Sequence, residues 1–388
     1  MPTYSGAKLP IAVVKGNGNF LYDTDGNRYL DLFSGLGVNV LGHSHPKIVQ
    51  TLKEQGERFL HISNIYLNLP AIQLAKRLSD LTLGGKVFFT NSGAEATEAA
   101  VKLLHKYHKK VRPDRRGIVV MKKGFHGRTL GALKLTRQPG VYQDFPLPDY
   151  EIIEIEPEDV GALDKAIEQK PLAIMAEPVL GSGGVIPLSD DYLQTVTDRA
   201  RAADVLVVID EIQTGMGRTG TLFAYQSAGI DPDIVLFAKG VGGGLPLGGI
   251  IAKPEWSDLF GPGDHGTTFA PSPLAAALGN TVLDVLLDDG LLESANEAMT
   301  YMWKQLLLLK QDIKVVKDVR GRGFMIGIVT DASAEAVDFV RKNMVKAGFL
   351  IDVTQKTIIR LLPPLTLTKE DIDAFIIAFR QALTNLKD

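Results

Sequence analysis

Short, continuously apolar segments that alternate with helical segments constrain the fold of this chain most. The runs "LAIMAE", "VLVVID" and "DIVLFAK" lack the polar–apolar alternation of a strand with one solvent-facing side. Strands of this kind are buried on both faces, which requires helices on both sides of a mainly parallel sheet. The segment "SDDYLQTVTDRARAAD" supplies one such helix, with "SDD" at its expected N-cap. The pattern predicts an α/β fold.

Changes in this pattern along the chain predict the domain organisation. Residues 1–46 contain short apolar runs separated by "GNG" and "TDG" turn signals, as in β-hairpins. Helices and buried strands alternate over residues 47–275, whereas residues 276–388 contain helices with a few weaker strands. We therefore expect a large domain over 47–275, a smaller α+β domain over 276–388, and an N-terminal segment that packs with the small domain.

Composition excludes several classes of partner and of chemistry. A net charge of −3 provides no basic excess for a nucleic acid or an anionic membrane. The absence of cysteine excludes disulfides, thiolate metal sites and cysteine nucleophiles. No secretory signal is apparent, and apolar runs such as "VLVVI" are too short to span a bilayer. These features favour a cytoplasmic protein that does not bind membranes.

The segment "DEIQTGMGRTG" contains the glycine spacing of a dinucleotide-binding fingerprint, which would indicate a nicotinamide or flavin enzyme. Such a fingerprint opens a long helix and is followed by an acidic residue about twenty positions later. Here only a short helix is possible, and Asp231 and Asp233 come too early. We interpret the segment as a mobile loop. His43 and His45 flank a turn, and we interpret them as structural residues, so no metal site is expected.

Charged side chains stand at or just after the ends of three predicted strands: Glu177, Asp210 and Lys239. Ligands of open parallel sheets bind at this edge. Lys239 follows an apolar strand, and desolvation would lower the pKa of its amine and make it a nucleophile. Asp210 suits a protonated pyridine nitrogen. The structural alternatives are a lysine that extends to water and an aspartate that caps a turn.

A strand-to-helix junction adds a candidate phosphate site. In "FFTNSGAEATEAA", Ser92 and Glu95 match a capping box, while Gly93 and Ala94 leave amides open at the positive end of the helix dipole. A simple N-cap at Ser92 is the structural alternative. A phosphate site, an acid and a lysine in this chain order together predict an enzyme that uses pyridoxal 5′-phosphate (PLP).

The chain resembles the class III PLP-dependent aminotransferases of fold type I, a group that includes acetylornithine, ornithine and 4-aminobutyrate aminotransferases. The matching stretches are "NSGAEATEAA", "GFHGRTLGAL", "AEPVLGSGGV", "VVIDEIQTGMGRTG", "DIVLFAKGVGGGLPLGG", "GDHGTTF" and "RLLPPLTL". The resemblance implies a large PLP-binding domain with a mostly parallel, seven-stranded sheet flanked by helices, and a smaller α+β domain.

The resemblance also assigns roles to individual residues. It implies that Lys239 binds PLP covalently and acts in catalysis with Asp210, the partner of the ring nitrogen, and that Gln213 lies near the ring oxygen. The other residues that it implies contact the cofactor are Ser92, Gly93, Ala94, Phe125, Glu211, Ile212 and Thr268. Because Thr268 would reach the phosphate from a neighbouring subunit, a homodimer with shared active sites is expected.

Three further residues are implied to bind substrate: Arg128 and Thr267 the amino donor, and Arg360 the α-carboxylate of glutamate. The stretch "SGLGVNVLGHSHP", with Leu36 and later His126, is most similar to the acetylornithine enzymes. This implies transfer of an amino group from N2-acetyl-L-ornithine to 2-oxoglutarate, in arginine biosynthesis. Other class III ω-aminotransferases, PLP racemases or decarboxylases of the same fold, nicotinamide oxidoreductases and non-catalytic binding proteins remain alternatives.

One position departs from the family pattern. Ser182 stands where "GEGG" or "GEAG" usually places a glutamate. That glutamate is thought to neutralise the arginine that matches Arg360. We therefore expect Arg360 to stay exposed, to favour substrates whose carboxylate it binds directly, and Ser182→Glu to improve the discrimination between acetylornithine and glutamate.

Overall fold

The computed structural model of the protein describes residues 9–384. The strands are β1 Val13–Asn17, β2 Phe20–Asp23, β3 Arg28–Asp31, β4 Val87–Thr90, β5 Ile118–Met121, β6 Ile152–Ile155, β7 Ala173–Ala176, β8 Val179–Leu180, β9 Ile186–Pro187, β10 Leu206–Asp210, β11 Ile234–Phe237, β12 Gly248–Ala252, β13 Val316–Arg322, β14 Met325–Thr330, β15 Phe349–Leu350, β16 Asp352–Thr354 and β17 Ile358–Leu361.

The α-helices alternate with the strands of the central part of the chain. They are α1 Ser34–Gly37, α2 Pro46–Arg58, α3 Leu69–Asp80, α4 Gly93–Lys110, α5 Leu130–Leu135, α6 Pro139–Tyr142, α7 Val160–Glu168, α8 Asp190–Ala202, α9 Ala224–Ser227, α10 Pro273–Leu283, α11 Leu291–Asp312, α12 Ala334–Lys346 and α13 Lys369–Thr384. Ser189 caps α8 by accepting a hydrogen bond from the amide of Tyr192, as the "SDD" signal predicts.

A seven-stranded sheet in the order β4-β12-β11-β10-β7-β5-β6 forms the centre of the molecule. Its strands are parallel except for β12, which runs antiparallel to both of its neighbours. Successive residues of β10 enter opposite cores: Val207 and Ile209 pack on the side of α8, and Leu206 and Val208 pack on the side of α4. Burial on both faces explains the continuous apolar runs, and the predicted fold class is confirmed.

Two smaller four-stranded sheets flank this centre. The C-terminal part of the chain forms β13-β14-β17-β16, in which the predicted hairpin over "VVKDVRGRGFMIGIVT" is β13 and β14. The N-terminal hairpins form β1-β2-β3, and β15 completes that sheet by pairing in parallel with β3. The N-terminal segment is therefore joined by backbone hydrogen bonds to residues 348–350 of the C-terminal part.

Candidate active site

Three neighbouring parallel strands bring the predicted charged residues to one edge of the central sheet. Asp210 ends β10 and is 3% exposed, Lys239 lies just after β11, and Glu177 follows β7. Burial and the positive charge of Arg360 lower the pKa of Lys239 to about 8, although Asp210 and Glu177 oppose the shift. Lys239 also has a φ of 51°, a left-handed conformation that costs a non-glycine residue energy. An amine with a lowered pKa is thus held at the same sheet edge as two carboxyl groups.

His126 is a functional candidate to which the sequence interpretation assigned no contact at the cofactor site. Its Nδ1 lies 2.7 Å from Oδ2 of Asp210, and the amide of Ile212 donates to Oδ1 at 3.1 Å. Burial lowers the pKa of His126, but the hydrogen bond and charge of Asp210 outweigh burial and raise it. The contact with Asp210 therefore favours the protonated imidazole of His126. The sequence signal that could have indicated this role is the position of "FHG" shortly after the apolar strand β5.

Glu177 connects two segments at the same edge. Its Oε1 accepts from the amide of Phe125 at 2.8 Å, and its Oε2 accepts from the amide of Gly181 at 3.4 Å. Burial raises the pKa of Glu177 to about 7, so the group titrates near neutrality. The guanidinium of Arg128, which is exposed, lies 5.7 Å from the centre of the Phe125 ring. Glu177 therefore fixes the backbone from which Phe125 and Arg128 extend.

The start of α4 provides the predicted anion site. The Ser92 hydroxyl caps the helix by accepting from the amide of Glu95 at 3.2 Å. The Glu95 carboxylate accepts from the backbone amide of Asn91 at 2.7 Å, and not from that of Ser92, so the expected capping box is only half formed. The amides of Gly93 and Ala94 belong to the first turn, whose donors have no preceding carbonyl to bind. A phosphate fits such a position.

A second observation supports a bound group at this edge. The Oε1 atom of Gln213 is buried and has no hydrogen-bond partner among the described residues. A Cβ atom at Gly181 would lie 1.9 Å from that oxygen, and one at Gly93 would lie 2.9 Å from the side chain of Ile212. An unpaired buried amide is costly, which indicates that it meets a polar group in the working protein. The acid, amine and open helix start fit the ring nitrogen, carbonyl and phosphate of PLP, and the NH2 group of the Gln213 amide is the donor that would fit its ring oxygen.

The remaining predicted residues lie near this cluster with different contacts. The buried carboxylate of Glu211 accepts from the Thr214 hydroxyl and, at 2.7 Å, from the amide of Tyr225, so it is used within its own turn. Burial raises its pKa to about 7. The Thr267 hydroxyl accepts from Nδ2 of Asn91 at 2.8 Å, beside the start of α4, whereas Thr268 is exposed.

Arg360 is buried and paired, so the expectation that it stays exposed is wrong. The residue lies on β17 with 4% of its surface accessible. Its Nε and Nη2 atoms donate to Oδ2 of Asp352 at 2.9 and 2.6 Å. Asp352 faces Arg360 across the antiparallel β16–β17 pair. Sequence reasoning did not find this partner because β16 is three residues long and carries no strong strand signal.

The glycine-rich segment after Asp210 is a loop, but it is buried. Only the short α9 follows it, as expected. Arg218 within it is fully buried, and its Nη1 donates to the carbonyl of Phe324 at 3.4 Å and to that of Pro363. Burial lowers the pKa of this guanidinium to about 9. The loop thus connects the central sheet to the C-terminal part, a role that the interpretation as a mobile loop did not anticipate.

His43 lies 2.8 Å from Asp31, in line with the structural role expected for it. Within residues 9–384 no group of three or more His, Asp or Glu side chains is placed to hold a metal ion. In the same range, none of the helices has the length and apolar character required to cross a bilayer.

Comparison with known proteins identifies the family. The profile of the class-III aminotransferases matches residues 3–383. The chain is 42% identical to the acetylornithine aminotransferase of Methanocaldococcus jannaschii, over 98% of this chain and 95% of that protein. It is 37% identical to the succinylornithine transaminase of Salmonella typhimurium, over 100% of this chain and 95% of that protein.

A solved structure shares the fold closely. The ornithine aminotransferase of Toxoplasma gondii, described with partial occupancy of PLP at its active site, superposes with a TM-score of 0.94 and 28% identity. The match covers 99% of this chain and 92% of that chain. The arrangement at the sheet edge, the profile and these relatives agree, and the chain belongs to the class III aminotransferases, which use PLP to transfer amino groups.

Proposed function

We propose that the protein transfers the amino group of N2-acetyl-L-ornithine to 2-oxoglutarate, giving N-acetyl-L-glutamate 5-semialdehyde and L-glutamate in arginine biosynthesis. The observation that carries the proposal is the Lys239 amine of lowered pKa at the same sheet edge as the buried Asp210–His126 pair and the open start of α4. Similarity to the acetylornithine aminotransferase of M. jannaschii over nearly the whole chain supports the amino donor.

The residues that would hold PLP follow from their chemistry. Asp210, supported by His126, suits the ring nitrogen, Gln213 the ring oxygen, and Phe125 the ring face. The phosphate suits the start of α4 at Ser92, Gly93 and Ala94, with Ile212 packed against Gly93. When bound, PLP supplies a carbonyl that condenses with amines and a ring that accepts the electrons of a substrate C–H bond.

Lys239 serves as the proton carrier in this proposal. With a pKa of about 8, its Nζ is neutral in about a tenth of the molecules at pH 7, against fewer than about one in a thousand for an ordinary lysine. The neutral amine accepts the proton of the amine-bearing substrate carbon and returns it at a different atom. Asp210 and Glu177 act in the opposite direction and raise the pKa of Nζ, so burial and the positive charge of Arg360 are what keep part of the amine neutral.

Two arginines are proposed to bind the carboxylates of the two different substrates. Arg128 is exposed above Phe125 and suits the carboxylate of the ω-amino donor. Thr267 would approach the same substrate from its place beside Thr268. Arg360 suits the α-carboxylate of glutamate and 2-oxoglutarate, because a guanidinium binds carboxylates through two parallel hydrogen bonds. The two substrates use one site in turn, so the kinetics are expected to be of the ping-pong type.

A homodimer is part of the proposal. Large apolar side chains are exposed together on one surface. Their exposed fractions are 60% for Leu60, 85% for Ile65, 69% for Tyr66, 85% for Leu67 and 66% for Phe269. Asn64 within this surface donates to the carbonyl of Thr267 at 2.7 Å, so the surface continues to Thr267 and Thr268. A contiguous apolar surface of this kind marks a protein interface. In the dimer, Thr268 would reach the cofactor phosphate of the partner.

The domain boundaries at residues 46 and 275 and a cytoplasmic location also remain proposals. The parallel pairing of β3 with β15 supports the packing of the N-terminal segment with the small domain.

Half-reactions of the holoenzyme without a keto acid test the amino donor. The visible absorbance of the cofactor should be lost with N2-acetylornithine, and more slowly or not at all with ornithine or 4-aminobutyrate. N2-succinylornithine is tested as the second candidate donor, because the Salmonella relative is named for it. Faster loss with ornithine or 4-aminobutyrate would contradict the proposed donor, and Lys239→Ala should abolish the change with every donor.

A further inference from the structure

We propose that Asp352 is the residue that sets the selectivity of Arg360 for carboxylates, by supplying from a neighbouring strand the negative charge that position 182 lacks. The inference rests on the proposed function in one respect, which is that Arg360 binds the α-carboxylate of glutamate and 2-oxoglutarate. It deepens that function by identifying a specificity-determining residue at the same site.

The guanidinium group of Arg360 is bound to Asp352 along one edge, and its other edge makes only a weak contact. Nε and Nη2 of Arg360 both donate to a single oxygen, Oδ2 of Asp352, at 2.9 and 2.6 Å. The remaining terminal nitrogen, Nη1, makes only a long contact of 3.5 Å with the carbonyl of Gly181. The Nη1–Nη2 edge is therefore weakly held, and it is the edge to which a substrate carboxylate can bind through two hydrogen bonds.

The counter-charge is fixed by the sheet. Asp352 and Arg360 are register partners on the antiparallel strands β16 and β17, and their side chains are 20% and 5% exposed. A pair at this position cannot separate widely without breaking the sheet. Because the carboxylate lies on a strand, selectivity set by Asp352 does not require the loop that contains Ser182 to move away from Arg360.

The loop that contains Ser182 is hydrogen-bonded to the segment that follows Asp352. The Ser182 carbonyl accepts hydrogen bonds from Oγ1 of Thr354 at 3.1 Å and from Nε2 of Gln355 at 2.8 Å. The loop is thus bound to the same β16–β17 hairpin that carries the charge. The side chain at 182 is a neutral serine, so of these two positions only 352 supplies a carboxylate.

The pair also affects the reacting amine. The positive charge of Arg360 is one cause of the lowered pKa of Lys239, so the guanidinium lies close enough to act on Nζ. Because Asp352 is bound to Arg360, the positive charge of the arginine is largely compensated when the amino donor is in the site. The acylated α-amine of that donor is neutral and supplies no charge of its own. The same arginine still offers donors to a second carboxylate.

The binding of glutarate, a five-carbon dicarboxylate that cannot be aminated, to the PLP-loaded dimer tests the inference by calorimetry. Asp352→Asn keeps the shape and removes the charge, so glutarate should bind about tenfold more tightly. The ratio of kcat/KM for acetylornithine to that for glutamate should fall. Asp318→Asn, which removes a carboxylate from the same sheet, is the matched control and should leave both quantities unchanged.

The opposite results would overturn the inference. If Asp352 only orients Arg360, Asp352→Asn will weaken glutarate binding, and if it has no role the affinity will not change. Asp352→Ser removes the same charge with a smaller side chain and must shift the affinity in the same direction. If the wild type does not react with acetylornithine but still aminates 2-oxoglutarate, the proposed donor is refuted. The test of Asp352 is not affected, because glutarate binding is measured without reaction.

Discussion

Replacement of His126 by phenylalanine should reduce turnover through Asp210 without affecting substrate binding. The substitution keeps an aromatic ring, although a somewhat larger one, and removes the 2.7 Å contact between Nδ1 and Oδ2 of Asp210. The two side chains are only 1% and 3% exposed, so water cannot replace the missing partner. Removal of one partner of a buried ion pair destabilises a protein by about 3–5 kcal/mol.

Part of that energy should appear in the rate. A hydrogen bond to a charged group contributes about 1.5–3 kcal/mol, which corresponds to a loss of roughly 10- to 160-fold in kcat if it supports Asp210 in the transition state. The KM for 2-oxoglutarate should change little, because Arg360 and Asp352 are untouched. Steady-state kinetics and urea unfolding, each with and without PLP, measure the two effects separately.

The variant His43→Phe provides the control. It breaks another His–Asp contact, 2.8 Å long, between His43 and Asp31. This variant should lose stability but keep kcat within about twofold of the wild type, a change worth less than about 0.5 kcal/mol. The reasoning is refuted if His126→Phe also stays within that range, or if both variants lose turnover equally.

Further predictions concern buried charge and close packing. Because burial raises the pKa of Glu211 to about 7, the folded state retains a proton that the unfolded chain releases above about pH 4.5, and the wild type loses stability as the pH rises through this window. Glu211→Gln should therefore gain unfolding temperature relative to the wild type from pH 5 to pH 8, and a constant difference across that range would contradict the assignment. Gly93→Ala places a Cβ atom 2.9 Å from Ile212 and should weaken PLP binding, measured by fluorescence titration. Gly56→Ala, in the interior of α2 with open space around it, should instead raise the unfolding free energy by about 0.5–1 kcal/mol and leave PLP affinity unchanged; equal PLP affinity in both variants would contradict the role of Gly93.

Local signals predicted much of the fold. The strand that ends at Asp210 and the helix that begins after Ser92 are both marked by a change from apolar to polar residues at a single point. Since neighbouring parallel strands end at the same edge, Lys239 and Asp210 could be placed together from the sequence.

Contacts that depend on strand order or register could not be predicted. His126 follows β5, and β7 separates that strand from β10, so its pairing with Asp210 arises only from the order of the assembled sheet. Asp352 reaches Arg360 because the hairpin turns at Gln355 and Lys356, which have φ values of 49° and 67°. Neither residue is a glycine or an asparagine, so the sequence carries no turn signal there and the register of β16 stays hidden.

Reduction of the PLP-loaded protein with borohydride, followed by peptide mass spectrometry, tests the central claim most directly. If Lys239 binds the cofactor covalently, the reduced adduct will be found on the peptide that contains Lys239, and Lys239→Ala will yield none. An adduct on a different lysine of the wild type, or no adduct at all, would contradict the assignment of the active site.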